Sequence, residues 1–147
     1  MFRLTLGAAI VAAALAGAAA AQDTSTPLGT VQALYGDPEP PTTDLGRFFA
    51  PDIAQAMEAD LATRQPALAP DYRFDLGERP GGDLSYAEGD SPNGAAVTVG
   101  FDGGQQVLVE LCRRADGQWR IVDIRDPNEF WSTRAYMQLH LGQVQCE

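Results

Sequence analysis

Apolar and polar residues alternate most regularly toward the C-terminal third of the chain, in VLVELCRR (Val107 to Arg114) and QWRIVD (Gln118 to Asp123), which flank Asp116-Gly117. This period of two predicts two β-strands. Asp-Gly at their centre predicts a tight primed turn, whose middle residues need positive φ. Counting outward from that turn sets Arg114 opposite Trp119, Cys112 opposite Ile121, Leu111 opposite Val122, Glu110 opposite Asp123 and Val109 opposite Ile124. One face of the hairpin is then apolar, with Val107, Val109, Leu111, Val122 and Ile124. The other is mixed and carries Leu108, Glu110, Cys112, Trp119, Ile121 and Asp123. A slip of one residue would exchange the faces, so the pattern supports the register as well as the strands.

Ala95 to Phe101 alternates in the same way, and Asp102-Gly103-Gly104 turns it into the hairpin, which predicts a three-strand antiparallel meander. Leu84 to Ala87 is a candidate short edge strand. Upstream the period changes to that of a helix. Thr26-Pro27 is a cap followed by proline at the first helical position, Leu28, Val31 and Leu34 or Tyr35 recur behind it, and Gly36 ends the helix. Asp37 to Pro41 is a stiff connector, because proline fixes φ and restricts the residue before it. Leu45 to Phe49 fits one helical turn. A longer helix begins at Pro51, with Ile53, Ala54, Met57 and Leu61 on one stripe, Asp52 in the first turn and Arg64 in the last. This second helix is expected to cover the apolar face of the sheet. Prolines and glycines interrupt the stretch from Pro66 to Pro92. After Asp126-Pro127-Asn128, the residues Phe130 to Leu141 form a candidate closing helix with Phe130, Trp131, Met137 and Leu141 as its apolar side.

The N-terminus reads as an export signal. One arginine at position 3 precedes an apolar run from Leu4 to Leu15 and small residues from Ala18 to Ala21, and polar Gln22-Asp23-Thr24 follows. The run is too short and alanine-rich for a membrane anchor, and position 18 is alanine where a lipoprotein would carry cysteine. Residues 1–21 are thus expected to be removed, leaving 22–147 as a single α+β domain of about 125 residues in a bacterial periplasm or secreted. The formal net charge is -10, from 20 acidic and 10 basic residues. Nucleic acid and anionic lipid both need a basic footprint and are excluded as partners. All the basic residues are arginine, which fits a GC-rich genome rather than a function.

The helices first, the meander last, and the segments FFAPDIAQAMEAD (Phe48 to Asp60) and VLVELCRRADGQWRIVDI (Val107 to Ile124) together resemble the nuclear-transport-factor-2-like superfamily, which includes ketosteroid isomerase and SnoaL-type cyclases. Within it the likeness is to small exported bacterial domains of unassigned function. The resemblance implies a curved antiparallel sheet wrapped around N-terminal helices into a cone, often with a pocket inside, and homodimers are common among its members. Its motifs specify a fold and not a chemistry.

Chemistry must therefore come from side chains. Glu110 facing Asp123 places two carboxyls at directly opposed positions, where like charges repel. Buried in a cone, such a pair would separate into acid and base and support proton transfer. On a solvated face it is screened, bridged by Arg125 or Arg114. Cys112 and Cys146 are the only cysteines, and in an exported chain they are a disulfide candidate worth roughly 3 to 4 kcal/mol by loop entropy. His140 is the sole histidine, so multi-histidine metal sites and most triads are excluded. Asp83, Glu88 and Asp90 match no calcium loop. Trp119 opposite Arg114 allows a cation-π pair. Tyr72, Phe74, Tyr86, Trp119 and Arg125 are candidate pocket residues, with Phe130 and Trp131 at its mouth. The expectation is an envelope module without cofactor or metal that binds a small molecule or a protein partner. A proton-transfer enzyme of isomerase or dehydratase type, using Asp123 and Glu110, is the alternative. A structural or inhibitory interaction protein is the third reading.

Overall fold

The structure, a computed structural model, describes residues 23–74, 77–128, 130–141, 144 and 146–147, so the expected export signal lies outside the described residues. Among these residues three α-helices and four strands follow in order: α1 (Pro27–Gly36), α2 (Pro51–Leu61), β1 (Ser85–Ser91), β2 (Gly94–Phe101), β3 (Gln105–Arg113), β4 (Trp119–Arg125) and α3 (Thr133–Tyr136). The strands form one antiparallel sheet in the order β1-β2-β3-β4. Among the described residues no helix is long and apolar enough to cross a membrane.

The predicted edge strand is longer than expected, Ser85–Ser91 rather than Leu84 to Ala87, and makes the meander four-stranded. Ser91 pairs with Gly94 across Pro92-Asn93, a turn that the alternation did not reveal because β1 is exposed and carries no apolar stripe. The β3–β4 connection also differs. Arg114 N–H donates to Gln118 O at 2.8 Å and Gly117 N–H to Arg114 O at 3.0 Å, so the loop holds three residues, of which only Gly117, at φ 85°, has positive φ. This is the type I turn closed by a left-handed glycine, not the two-residue primed turn. A β-bulge between Glu110 and Leu111 compensates for the change. Near the loop Leu111 faces Ile121, Cys112 faces Arg120 and Arg113 faces Trp119, each one residue from the count. Past the bulge Glu110 faces Asp123 and Val109 faces Ile124, as counted. Ile121 consequently joins Leu111 on the apolar face, and Val122 is the extra residue of the bulge.

That apolar face is the core: Val97, Val99, Val107, Val109, Leu111, Ile121 and Ile124 are fully buried with Val31, Leu34 and Tyr35 of α1 and Ile53 and Met57 of α2. The helix lying closest along the sheet is α1, which runs beside β1, β2 and β4, whereas α2 sits nearest the 3-10 turn Leu45–Arg47. Helix α1 starts where Thr26 caps it, its hydroxyl accepting from Gly29 N–H at 3.0 Å. Its C-terminus is closed by arginine. Fully buried Arg73 donates through Nη1 to Leu34 O and Asp37 O, both at 2.9 Å, and pairs with Asp71 through Nε (2.8 Å) and Nη2 (2.7 Å). Arg79 reaches Tyr35 O and Asp37 O. Helix α2 ends at Leu61, before Arg64, and has no basic residue in its last turn. Arg73 over Tyr35 and Phe74, and Arg47 over Phe48, are the cation-π contacts among the described residues, in place of the one expected at Trp119.

The free edge of β4 is covered. Ile121 exchanges backbone bonds with Phe48 and Ala50 at 2.7 and 2.9 Å, and Trp119 N–H donates to Thr24 O at 2.8 Å. This shields an edge that would otherwise pair with another chain. Below it, Arg125 bridges Ser132 and the chain turns through α3, a single turn instead of the expected closing helix over Phe130 to Leu141. The described residues from Phe130 to Cys146 lie over the mixed face of the sheet as a strap. Cys146 is disulfide-bonded to Cys112, with a Cα–Cα distance of 5.7 Å.

Candidate functional site

Between the mixed sheet face and this strap lies a groove of about 660 Å³. Glu110, Asp123 and Arg125 form its floor, the Pro92-Asn93 turn one wall, and Phe130, Trp131, Ser132, Ala135 and Leu141 the other. The strap is fixed at both ends. Ser132 caps α3 by accepting from Ala135 N–H at 3.2 Å, and its hydroxyl donates to Asp123 Oδ2 at 2.7 Å. The Arg134 N–H donates to Asp123 Oδ1 at 3.1 Å, and Thr133 Oγ1 donates to Ile124 O at 3.1 Å. At the far end Val144 N–H donates to Asn93 Oδ1 at 3.1 Å, close to the disulfide.

The two carboxyls have separate environments. Asp123 is only 5% exposed. Burial pushes its carboxyl above the usual aspartate range; the Ser132 and Arg134 bonds pull it down, and the Glu110 charge pushes it up again. Glu110 lies nearer the opening, accepting on Oε1 from Ser91 Oγ at 3.1 Å and from Arg125 Nη2 at 3.3 Å. Of the two arginines expected to bridge the pair, Arg125 reaches Glu110, while Asp123 is held by Ser132 and the Arg134 amide. Arg114 lies 3.7 Å from Asp116 and 3.9 Å from Glu147 instead. Behind the site, Arg134 Nη2 donates to Asp52 Oδ2 at 2.7 Å and ties the strap to the start of α2. Burial pushes the Asp52 carboxyl up, but the Arg134 bond and the Ile53 amide bring it net below its ordinary value.

Compared with family models, curated proteins and solved structures, the chain matches none. The site must be read from its own geometry.

Of the expected pocket residues, the structure brings Arg125 to the groove beside Glu110 and Asp123, with Phe130 and Trp131 in the wall. Tyr72 and Phe74 are core residues and line a separate cavity of about 140 Å³ that Trp131 also borders. Tyr86 and Trp119 pack, half-buried, against the core and not in the groove. Asp83, Glu88 and Asp90 are exposed, and among the described residues no group of three or more His, Cys, Asp or Glu is placed to hold a metal ion. The sole histidine, His140, contributes its backbone carbonyl, which accepts from Arg134 Nε at 2.8 Å. Sequence reasoning missed Ser132, Asn93 and Leu141. Their roles depend on the strap folding back over the sheet, for which the only linear signal was Cys146. Leu141 is expected on the apolar side of a closing helix, yet it is 67% exposed, as Phe130 is 86% and Tyr136 51%.

Proposed function

We propose that this protein is an exported, non-catalytic module that binds a small ligand in the groove under the C-terminal strap. One observation carries the reading: among the described residues the large exposed hydrophobics, Phe130, Tyr136 and Leu141, all belong to that strap, and two of them line the groove. Exposing such side chains to water costs free energy that a bound apolar group recovers. The volume falls within the usual 300 to 1,000 Å³ of small-molecule sites, and an apolar wall over a few placed polar groups is their usual make-up. Export is supported by the leader pattern and by the Cys112–Cys146 disulfide, which an oxidising compartment maintains. The helices-then-meander order supports a distant relationship to the nuclear-transport-factor-2-like superfamily, with a cone-like sheet as the finer expectation. A groove on the face away from α1 and α2 would then be this chain's departure from the pocket inside the cone.

Native mass spectrometry of protein purified gently from a periplasmic extract tests the reading. A small-molecule adduct that is depleted in a Phe130→Ala/Leu141→Ala variant is the expected result. An adduct indifferent to that variant, or a stoichiometric complex with another protein and no small adduct, would contradict it. Proton transfer is the second reading, because burial raises the Asp123 carboxyl at the groove floor. On that reading Asp123→Asn abolishes turnover in an isomerase or dehydratase screen while keeping ligand affinity.

A further inference from the structure

We propose that the groove selects a small amphipathic amine, with its ammonium over Glu110 and Asp123 and its apolar part against Phe130 and Leu141; this rests on the small-ligand reading above. Among the described residues the floor holds two carboxyls and one guanidinium, and Arg125 lies against Glu110 at 3.3 Å. When both carboxyls are ionised, one negative charge remains in surplus. The field of a chain with net charge -10 adds to it. An anionic ligand would have to approach against both. A neutral ligand would cover the surplus charge without compensating it, which is costly. A monocation removes that cost.

Bonding capacity agrees. A carboxylate offers about four acceptor sites. Among the described residues Glu110 takes bonds from Ser91 and Arg125, and Asp123 from Ser132 and the Arg134 amide, two on each carboxylate, which leaves acceptor capacity for an ammonium with its three donors. The aromatic rings of Phe130 and Trp131 lie in the adjoining wall, where a cation gains further attraction from a ring face. A metal ion fits less well than an organic cation: among the described residues no third carboxylate or histidine joins the pair. The apolar rim of Phe130 and Leu141 would also go unused by a bare ion.

The test is a titration of the folded chain with three probes of one shape, benzylamine, benzyl alcohol and phenylacetate, followed by NMR at the indole N–H of Trp131. Trp119, the other tryptophan, lies outside the groove and serves as control. Benzylamine should bind roughly ten- to a hundredfold more tightly than benzyl alcohol, the usual gain from a charge-assisted bond, and phenylacetate should not saturate. Glu110→Gln should remove most of the amine's advantage while leaving benzyl alcohol within about twofold. Phe130 is exposed, so Phe130→Ala keeps the fold and should weaken amine and alcohol alike. Equal affinity for alcohol and amine, or tighter phenylacetate, would overturn the charge selection and leave the small-ligand reading standing. No shift at Trp131 with any probe would count against both.

Discussion

Cutting the strap at its far end separates its two anchors. The disulfide closes a loop of 34 residues, and the chain-entropy model gives about 3.8 kcal/mol for a loop of that length, before any enthalpic correction. Replacing both Cys112 and Cys146 with alanine should therefore cost about 3 to 4 kcal/mol in urea denaturation at neutral pH. For a domain of about 125 residues each kcal/mol moves Tm by about 4 °C, so the transition should fall by roughly 15 °C. The near anchor is independent of the disulfide, because Ser132 and the Arg134 amide still bond to Asp123. Native-state hydrogen exchange of the variant should show a faster amide at Val144, which bonds to Asn93 beside the disulfide, and little local change at Arg134 once the global loss is subtracted. A stability loss under about 1 kcal/mol would refute the loop-entropy reasoning. Equal local loosening of Arg134 and Val144 would refute the two-anchor description of the strap.

Three further outcomes follow from the same contacts. Asp71→Ala strands the fully buried Arg73 guanidinium without its carboxylate, and should cost about 3 to 5 kcal/mol by urea denaturation; a loss below 1 kcal/mol would mean that the Leu34 and Asp37 carbonyls suffice. Asp123→Asn tests the raised carboxyl. A group whose folded pKa is raised contributes stability below its unfolded value of about 3.9, lost as pH rises through the folded value. The variant should therefore match the wild type near pH 3 and equal or exceed it at pH 7, since asparagine can still accept from the Arg134 amide. A loss above about 2 kcal/mol at pH 7 would show that the carboxylate's bonds outweigh its burial. Thr26→Ala removes the cap of α1 and should cost about 1 kcal/mol; no loss would mean that Pro27 alone sets the helix start.

The elements with a strong period were legible in the sequence. Both long helices start at their proline, and β2, β3 and β4 lie where alternation put them, because one face of each is buried in a single core. The central pair, Glu110 and Asp123, was placed correctly by a count that erred twice. The loop has one residue more than a primed turn, and the bulge restores the register. A hydrophobic pattern fixes the face of a residue but carries no information on such local exchanges. The strand β1 was only partly legible because six of its seven residues are small or charged and no face of it is buried. The Asp71–Arg73 pair was illegible for a different reason: an arginine in an irregular segment reads as solvated, and its burial depends on the α1 C-terminus arriving beside it. The same holds for the groove. Periodicity puts Phe130 and Leu141 on the apolar side of a closing helix, whereas the chain makes a single helical turn and leaves both exposed at the rim, where Phe130 was also expected as a mouth residue.

The most direct test of a ligand groove under the strap is an NMR screen of small fragments, including cations, neutrals and anions, read at the two tryptophan indoles and the backbone amides. Hits should move the Trp131 indole together with the Ser132, Ala135 and Leu141 amides and leave the Trp119 indole in place. Hits that gather instead at the cleft of about 440 Å³ lined by Asp44, Glu58, Arg114 and Arg120, with Trp131 unmoved, would contradict it.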